Sequence, residues 1–274
     1  MTGLTGLKGR SVLITGGGRG LGRAMALALA PHGVRLALSA RAPSTALDQT
    51  LAECRALGAK AAIGITLDVG DAAACAAAVA QVEPTIGLLD VLVNNAGQGM
   101  RLVSETFNTR PTRFWETAPE AWASIIASNV NGPFNMARAA VPGMVARGRG
   151  KVINISTSDQ TMVRKGYAPY GPSKAALEAA SRIWAQDLAG TGVTVNVFLP
   201  GGAADTDLLP PAPDKKGADG KLLSPQVMAP GIRWLCSDAS DGTTGARFIA
   251  ALWGDADAPA PAAMSAHAPK PAIM

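Results

Sequence analysis

Seven short apolar runs alternate with longer helical patterns along this chain, and this order restricts its fold more than any other feature. The apolar runs lie at residues 11–15, 34–39, 61–67, 89–94, 151–156, 193–199 and 246–252. Their near-continuous hydrophobicity is typical of strands buried on both faces. Helical patterns lie between most of them, at residues 21–31, 44–57, 71–82, 119–147, 172–189 and 225–237. The order predicts an α/β fold: a doubly wound, mostly parallel seven-stranded sheet with helices on both faces.

The length and composition favour one large domain. The chain has 274 residues, of which 48% are hydrophobic and 16% are charged, so it can bury a substantial core. We expect residues 1–253 to form a single domain. Residues 254–274 are rich in Ala and Pro and have no periodicity, so they predict a C-terminal tail that has little reason to fold alone.

Charge, hydropathy and cysteine usage exclude several classes of protein. The formal charge of +5 is scattered along the chain, which argues against a nucleic-acid partner. The sequence shows neither a signal-like start nor an apolar stretch long enough to span a membrane. Cys54, Cys75 and Cys236 are odd in number and far apart, and the only histidines are His32 and His267. We therefore expect buried, reduced thiols, no metal, no membrane and a cytoplasmic location.

A glycine-rich turn, TGGGRGLG at residues 15–22, follows the first predicted strand and opens a helix. Gly16 can adopt backbone angles closed to other residues, Gly20 allows a pyrophosphate to approach the main chain, and Gly22 allows a helix to pack closely on a strand. The amino end of the helix offers free N–H groups to phosphates. A plain structural loop is the alternative, but the position after the first strand favours dinucleotide binding.

The end of the second predicted strand indicates which dinucleotide binds. An acidic residue there would bind the ribose hydroxyls of NAD, but the sequence reads Ser39, Ala40 and Arg41. Arg41 and Arg19 could instead bind the 2′-phosphate of NADP through charge-assisted hydrogen bonds. We favour NADP; the alternative is that both arginines are solvated.

Two long segments follow predicted strands at the end where α/β sheets bind ligands. They occupy residues 98–118 and 201–224, and we expect them to form the substrate walls and a lid. Arg101, Arg110 and Arg113 lie in the first segment. They could bind an anionic substrate, although solvation is the simpler interpretation.

A tyrosine and a lysine lie four residues apart in YGPSK, where a helix begins. Tyr170 and Lys174 would share one face of that helix, and Pro172 is tolerated in a first turn. Such a pair is usually an amphipathic edge with both polar ends in water. An ammonium near a phenol could instead stabilise the phenolate, since a free phenol has a pKa near 10.

These motifs together resemble the short-chain dehydrogenase/reductase family, in its single-domain branch. The resemblance covers residues 8 to 252 and rests on TGGGRGLG, LDV at 67–69, NNAG at 94–97, SNVNGPF at 128–134, YGPSK at 170–174 and PGGAADT at 200–206. It implies a Rossmann-like, NADP-binding and catalytic domain. The cofactor-binding residues that it implies are Gly16, Gly18, Arg19, Gly20, Leu21, Gly22, Arg41, Asp68, Val69, Asn95, Ala96, Gly97, Tyr170, Lys174, Pro200, Gly201 and Thr206.

The resemblance also assigns catalytic roles. Tyr170 is the general acid/base, Lys174 lowers its pKa and binds the ribose, and Asn129 holds a water in a proton relay. Where the family has a serine that holds the substrate oxygen, this chain has Thr157. Ser156 and Ser158 flank that position, and a shift of one residue would give either of them the role.

The resemblance therefore implies an NADP(H)-dependent oxidoreductase that acts on a carbonyl or secondary alcohol. The implied partners are a small-molecule substrate and further copies of the chain, as a dimer or tetramer built through residues 119–147 and 172–189. Two departures leave an alternative open, namely a catalytically weakened dinucleotide sensor or scaffold with the same fold. They are Thr157 and the ending FIAALWGD; in addition, Thr206 lies one residue later than the family pattern has it.

Overall fold

A computed structural model describes residues 4–213, 215–217, 220–254 and 258–265. Seven strands lie parallel in one sheet: β1 Ser11–Ile14, β2 Arg35–Ala40, β3 Ala61–Thr66, β4 Val91–Asn94, β5 Gly150–Ile155, β6 Val193–Leu199 and β7 Arg247–Ile249. The predicted fold class and all seven parallel strands are confirmed. An eighth strand, β8 Met264–Ser265, pairs antiparallel with β7 and was not predicted.

The described residues form eight α-helices around the sheet, with several 3₁₀ turns between them. They are α1 Gly20–Leu29, α2 Thr45–Ala56, α3 Ala72–Ile86, α4 Pro119–Ile126, α5 Gly132–Ala146, α6 Asp159–Met162, α7 Tyr170–Asp187 and α8 Ala229–Cys236. The single helix predicted at 119–147 is divided by a π-helical turn at Ala127–Asn131. A π turn often marks a functional site.

Two apolar cores lie on opposite faces of the sheet, because successive side chains of a strand point to opposite sides. In β1, Val12 and Ile14 join the core beneath α1, α2 and α8, whereas Leu13 joins the core beneath α3 and α5. All of these strand side chains are buried. This explains why the strands read as continuous apolar runs.

The strand order β3-β2-β1-β4-β5-β6-β7-β8 fixes the position of the site. The chain leaves β1 toward β2 on one side and returns to β4 on the other, so the direction of winding reverses between β1 and β4. Ligands of such sheets bind outside the carboxyl ends of the strands at this switch point.

The described part of the predicted tail lies against the sheet. Ala263 is buried in the core beneath α8, and Met264 pairs with Phe248 of β7. The division at residue 253 stays a prediction. His267 lies outside the described residues.

Cys54, Cys75 and Cys236 are buried and free, as predicted, and burial raises the pKa of each thiol, to about 11, 11 and 12 respectively.

Candidate active site

A crevice of about 850 Å³ opens at the carboxyl ends of the strands. Every residue predicted for the site lines it, with the exceptions of Gly22 and Asn129, which lie just behind its wall. The crevice has one part between the glycine turn and the end of β2, and a second part around Thr157 and Tyr170. The predicted site residues are therefore brought together by the fold.

The glycine turn is packed against the turn after β4. Gly16 has φ of +66°, and a Cβ at Gly22 would contact the carbonyl oxygen of Gly16 and lie 2.6 Å from Asn95 Nδ2. The Thr15 hydroxyl accepts hydrogen bonds from the main-chain N–H groups of Asn95 (3.0 Å) and Ala96 (2.9 Å). The Asn95 amide donates in return to the Thr15 carbonyl at 2.8 Å. The Asn95 side chain therefore holds the glycine turn in position.

The rim beside β2 carries an uncompensated positive charge. Arg41 is exposed there, and among the described residues no carboxylate pairs with it. Arg19 forms an exposed ion pair with Asp207, Nη1 to Oδ2 3.1 Å. Asp68 follows the neighbouring strand β3 and also lines the crevice, where its carboxylate accepts the Gly70 N–H at 2.9 Å. No acidic side chain replaces the one that NAD-binding sites place after the second strand.

Tyr170 is the first residue of α7 and is partly buried in the crevice wall. Burial raises the pKa of its phenol to about 12, a hydrogen bond with the Thr157 side chain opposes that rise, and Tyr167 adds to it. The phenol is therefore protonated at neutral pH and can donate a proton.

Lys174 lies one helical turn further on and is only 5% exposed. Its ammonium donates to the Ile155 carbonyl at 2.9 Å. Burial lowers the pKa of Lys174 to about 8, and the Glu178 carboxylate acts in the opposite direction. Tyr170 and Lys174 share one helix face, as predicted, and the direct hydrogen bond of the ammonium goes to the end of β5.

Asn129 lies in the π turn and is fully buried behind the site. Its Oδ1 accepts the Gln98 N–H at 2.8 Å, and its Nδ2 donates to the Gln98 carbonyl at 2.9 Å and to Ser173 Oγ at 3.0 Å. A Cβ built on Gly97 would lie 3.0 Å from Asn129 Oδ1 and 3.7 Å from Lys174 Nζ. The side chains of Asn129 and Lys174 therefore both lie close to Gly97.

The three hydroxyl side chains at the end of β5 differ in their hydrogen bonds. Ser158 caps α6, where its Oγ accepts the Thr161 N–H at 3.3 Å. Ser156 Oγ is buried and has no hydrogen-bond partner among the described residues. Thr157 lines the crevice, and its side chain is the one that lowers the pKa of Tyr170. Because the Ser158 hydroxyl is engaged in its cap, Thr157 is favoured over Ser158 as the partner of the substrate oxygen.

A buried ion pair beneath Thr157 was not found by sequence reasoning. Arg247 at the start of β7 donates its Nε to both carboxylate oxygens of Glu178 at 3.1 Å, and the two side chains are 5% and 7% exposed. Its Nη2 donates to the Thr157 carbonyl at 3.0 Å. The pair thus connects α7, β7 and the backbone that carries the Thr157 hydroxyl.

The segment after β6 covers the crevice from the other side. Pro200 and Gly201 line it at the end of β6, and the Thr206 methyl lies 3.1 Å from the position of a Cβ on Gly20. Lys215 Nζ donates to the Thr206 carbonyl at 2.7 Å. This arrangement agrees with the predicted lid, and Thr206 reaches the glycine turn despite its shifted position.

The arginines predicted near the substrate are engaged on the outer surface. Arg101 pairs with Glu105 at 2.8 Å and donates to the Asp207 carbonyl. Arg113 lies 3.4 Å from Glu116. Arg110 is exposed and does not line the crevice. These contacts agree with the solvated interpretation.

Residues 10–217 match the family model described as short chain dehydrogenase. An acetoacetyl-CoA reductase from Shinella zoogloeoides is 32% identical over 252 residues, which cover 88% of this chain and 96% of that protein. The 3-oxoacyl-acyl-carrier-protein reductase of Escherichia coli strain K12 is 31% identical over 245 residues, with 87% and 94% covered. A gluconate 5-dehydrogenase from Gluconobacter oxydans strain 621H is 33% identical over 198 residues, with 72% and 73% covered.

A crystal structure attributed to a short-chain alcohol dehydrogenase from Sinorhizobium meliloti 1021 superimposes with a TM-score of 0.76. The two chains are 29% identical, and 89% of this chain and 95% of the other are covered. This chain therefore belongs to the short-chain dehydrogenase/reductase family, whose oxidoreductases use a nicotinamide cofactor. Within the described residues, no helix is long and apolar enough to cross a membrane, and no cluster of metal-ligating side chains occurs.

Proposed function

We propose that this protein is an NADP(H)-dependent carbonyl reductase in which Tyr170 is the general acid. The observation that carries the proposal is the position of Tyr170, which lines the crevice together with Thr157, where burial raises the pKa of its phenol to about 12. A protonated phenol can supply the proton that a carbonyl oxygen needs during reduction. The reductases among the similar proteins support reduction of the carbonyl as the direction of the reaction.

The crevice fits the cofactor, because its glycine turn has the close packing that a pyrophosphate site requires. A Cβ at Gly22 would collide with Gly16, and no side chain caps the start of α1, whose first residues line the crevice. Arg19 and Arg41 would hold the 2′-phosphate, Asp68 and Val69 would lie beside the adenine, and Lys174 would reach the ribose. NADPH supplies the hydride when bound.

The residues of this chain handle the substrate oxygen. The Thr157 and Tyr170 hydroxyls both donate to it, so negative charge that develops on the oxygen is stabilised as the Tyr170 proton transfers. The Lys174 ammonium places a positive charge beneath this region, which favours the phenolate left behind. Asn129 is held in place by Gln98 and Ser173. There it would take part in the relay that returns a proton to Tyr170 through Lys174.

Three further expectations remain predictions. A dimer or tetramer is supported by exposed apolar side chains on the two helices involved, such as Phe134 (51%) and Ile183 (56%). A cytoplasmic location rests on the sequence. The sensor alternative is disfavoured by the Thr157 contact with Tyr170, since a decayed site has no reason to keep it.

The proposed function is tested by following the absorbance of NADPH with a panel of ketones, oxo acids and oxoacyl thioesters. We expect at least one of them to be reduced and NADPH to be preferred over NADH. Cofactor binding without turnover of any member would contradict the reductase and favour the sensor.

Replacing Arg41 by alanine should raise the KM for NADPH by about 10- to 100-fold, because a charge-assisted hydrogen bond to the 2′-phosphate is lost. The KM for NADH, which lacks that phosphate, should stay within about twofold. Steady-state kinetics with both cofactors measures the difference. Arg149→Ala is the matched control, since Arg149 is a 74% exposed arginine at the opposite end of the strands. An equal effect on both cofactors would contradict the assignment.

Lys174 should make stability depend on pH in a defined direction. Its pKa of about 8 in the folded protein lies below its ordinary value of 10.5. Between these values the unfolded chain retains a proton that the folded protein has lost, so the free energy of unfolding rises with pH. Below the pKa of the folded protein, Lys174 is protonated in both the folded and the unfolded state. The free-energy cost of burying its ammonium then destabilises the folded protein in full.

Urea denaturation of wild type and Lys174→Met at about pH 7 and about pH 10 measures this effect. The stability of wild type relative to the variant should increase at the higher pH. Lys151, whose pKa burial also lowers, is present in both proteins and cancels in the difference. A difference that does not change with pH would show that Lys174 has no lowered pKa.

A further inference from the structure

The second part of the crevice is bounded by the loop after β4 and the segment that leads into α7. The lining residues that these two segments provide include Met100, Phe107, Asn108, Thr161, Arg164 and Tyr167. The Thr112 hydroxyl donates to the Gly166 carbonyl at 2.9 Å and joins the two segments. Arg164 is the cation of this wall, and neither the family motifs nor the mechanism above use it.

Arg164 is held by an aromatic stack. Its guanidinium carbon lies 5.1 Å from the centroid of the Tyr167 ring, within the range of a cation–π contact. The Tyr167 ring in turn packs edge-to-face on Phe107, with centroids 5.6 Å apart at 81°, and Phe107 is 4% exposed. Stacking leaves the edge of the guanidinium, with its fork of N–H donors, free to bind a ligand.

Apart from the ring of Tyr167, the charge on Arg164 has no partner among the described residues. No carboxylate of that part of the chain lies within ion-pair distance of the guanidinium, and none of its side-chain nitrogens donates a hydrogen bond. Two other arginines of the crevice are paired, Arg247 with Glu178 and Arg19 with Asp207, whereas Arg41 lies at the end of β2 and is assigned to the cofactor. Asp159, on the same wall, accepts the Gln160 N–H instead.

Arg164 lines the same crevice as the reacting groups Thr157 and Tyr170. It stacks on Tyr167, which lies three residues before Tyr170 in the chain. An anion bound at Arg164 would therefore share the crevice with a carbonyl held by Tyr170 and Thr157. The phosphates of a coenzyme A thioester are too distant from its carbonyl to meet this condition, since the whole pantetheine arm separates them.

We propose that Arg164 binds the carboxylate of the substrate, and that the protein reduces oxo acids in preference to neutral ketones. The reduction in this inference rests on the proposed function, whereas the binding of a carboxylate by Arg164 does not depend on it. A planar guanidinium matches a carboxylate with two parallel hydrogen bonds, which fixes the orientation of the carbonyl as well as adding affinity.

The test compares acids with their neutral esters in two readouts. Acetoacetate, 4-oxopentanoate and 5-oxohexanoate, each beside its methyl ester, are titrated by calorimetry into the protein saturated with NADP, and are assayed for reduction with NADPH. At least one acid should bind about 10- to 100-fold more tightly than its ester. Arg164→Met should remove that preference and leave ester binding unchanged, and Arg164→Lys should retain part of it. Arg110→Met, which replaces an exposed arginine on the neighbouring segment, should change neither the preference for the acid nor the binding of the ester.

The two readouts separate the two proposals. Selective binding of an acid that is never reduced would support the role of Arg164 and contradict the reductase. Equal binding of acids and esters by the wild-type protein would overturn the role of Arg164, whether or not the ketones are reduced. Reduction of acetoacetyl-CoA with an efficiency that Arg164→Met does not change, together with weak binding of every free acid, would also overturn it.

Discussion

Replacing Tyr170 by phenylalanine is expected to lower kcat for carbonyl reduction by about 10²- to 10⁴-fold, the range that a lost general acid costs. The ring remains in place, so the Kd for NADPH, measured by its fluorescence, should change by less than about twofold. The reason is the proposed role of the phenol, which lines the crevice with Thr157 and which a pKa of about 12 keeps protonated at neutral pH.

Tyr167→Phe is the matched control, because Tyr167 is the other tyrosine of the chain and lies three residues earlier in the same wall. It keeps the ring on which Arg164 stacks and should retain most of the activity. If Tyr167→Phe were inactive and Tyr170→Phe active, the general acid would have been assigned to the wrong phenol.

The second large effect concerns the buried ion pair of Arg247 and Glu178. Glu178→Leu leaves the Arg247 guanidinium buried without its carboxylate, and breaking a buried pair in this way costs about 3–5 kcal/mol of the free energy of unfolding. The double variant Glu178→Leu, Arg247→Met should recover most of that loss, since apolar residues of similar volume replace a buried pair at little cost. Urea denaturation measures both.

Activity distinguishes a positioning role of this pair from a purely structural one. The double variant lacks the donor to the Thr157 carbonyl, so its kcat should fall more than its KM rises, although its stability is restored. The exposed pair Arg113 and Glu116 provides the control, because Glu116→Gln should cost less than about 1 kcal/mol. A stable double variant with unchanged kcat would refute the positioning of Thr157.

The sequence was sufficient to predict those features that depend on residues close together in the chain. The glycine turn, the Tyr170 and Lys174 spacing and the strand alternation each depend on residues that are neighbours along the chain or on one helix face. The predicted residues accordingly meet in one crevice. The roles assigned to them stay predictions until they are measured.

The remaining features depend on contacts between distant segments. Arg247 and Glu178 are 69 positions apart, and the only local signals were a charge within an apolar strand and an acid four residues after Lys174. Arg164 reads as an ordinary surface arginine until Tyr167 and Phe107 are seen beneath it. The π turn at Ala127–Asn131 lies within a segment that reads as one helix, and β8 pairs with β7 next to Ala263 of the core.

The most direct test follows the hydride itself. NADPH that carries deuterium in both positions of the transferring carbon of its nicotinamide ring is incubated with the protein and the ketone panel, and the alcohol products are analysed by mass spectrometry. We expect one deuterium on the carbinol carbon of at least one product, and about 10²- to 10⁴-fold slower formation of that product with Tyr170→Phe. Bound NADPH that delivers no label to any carbonyl would contradict the proposed reductase.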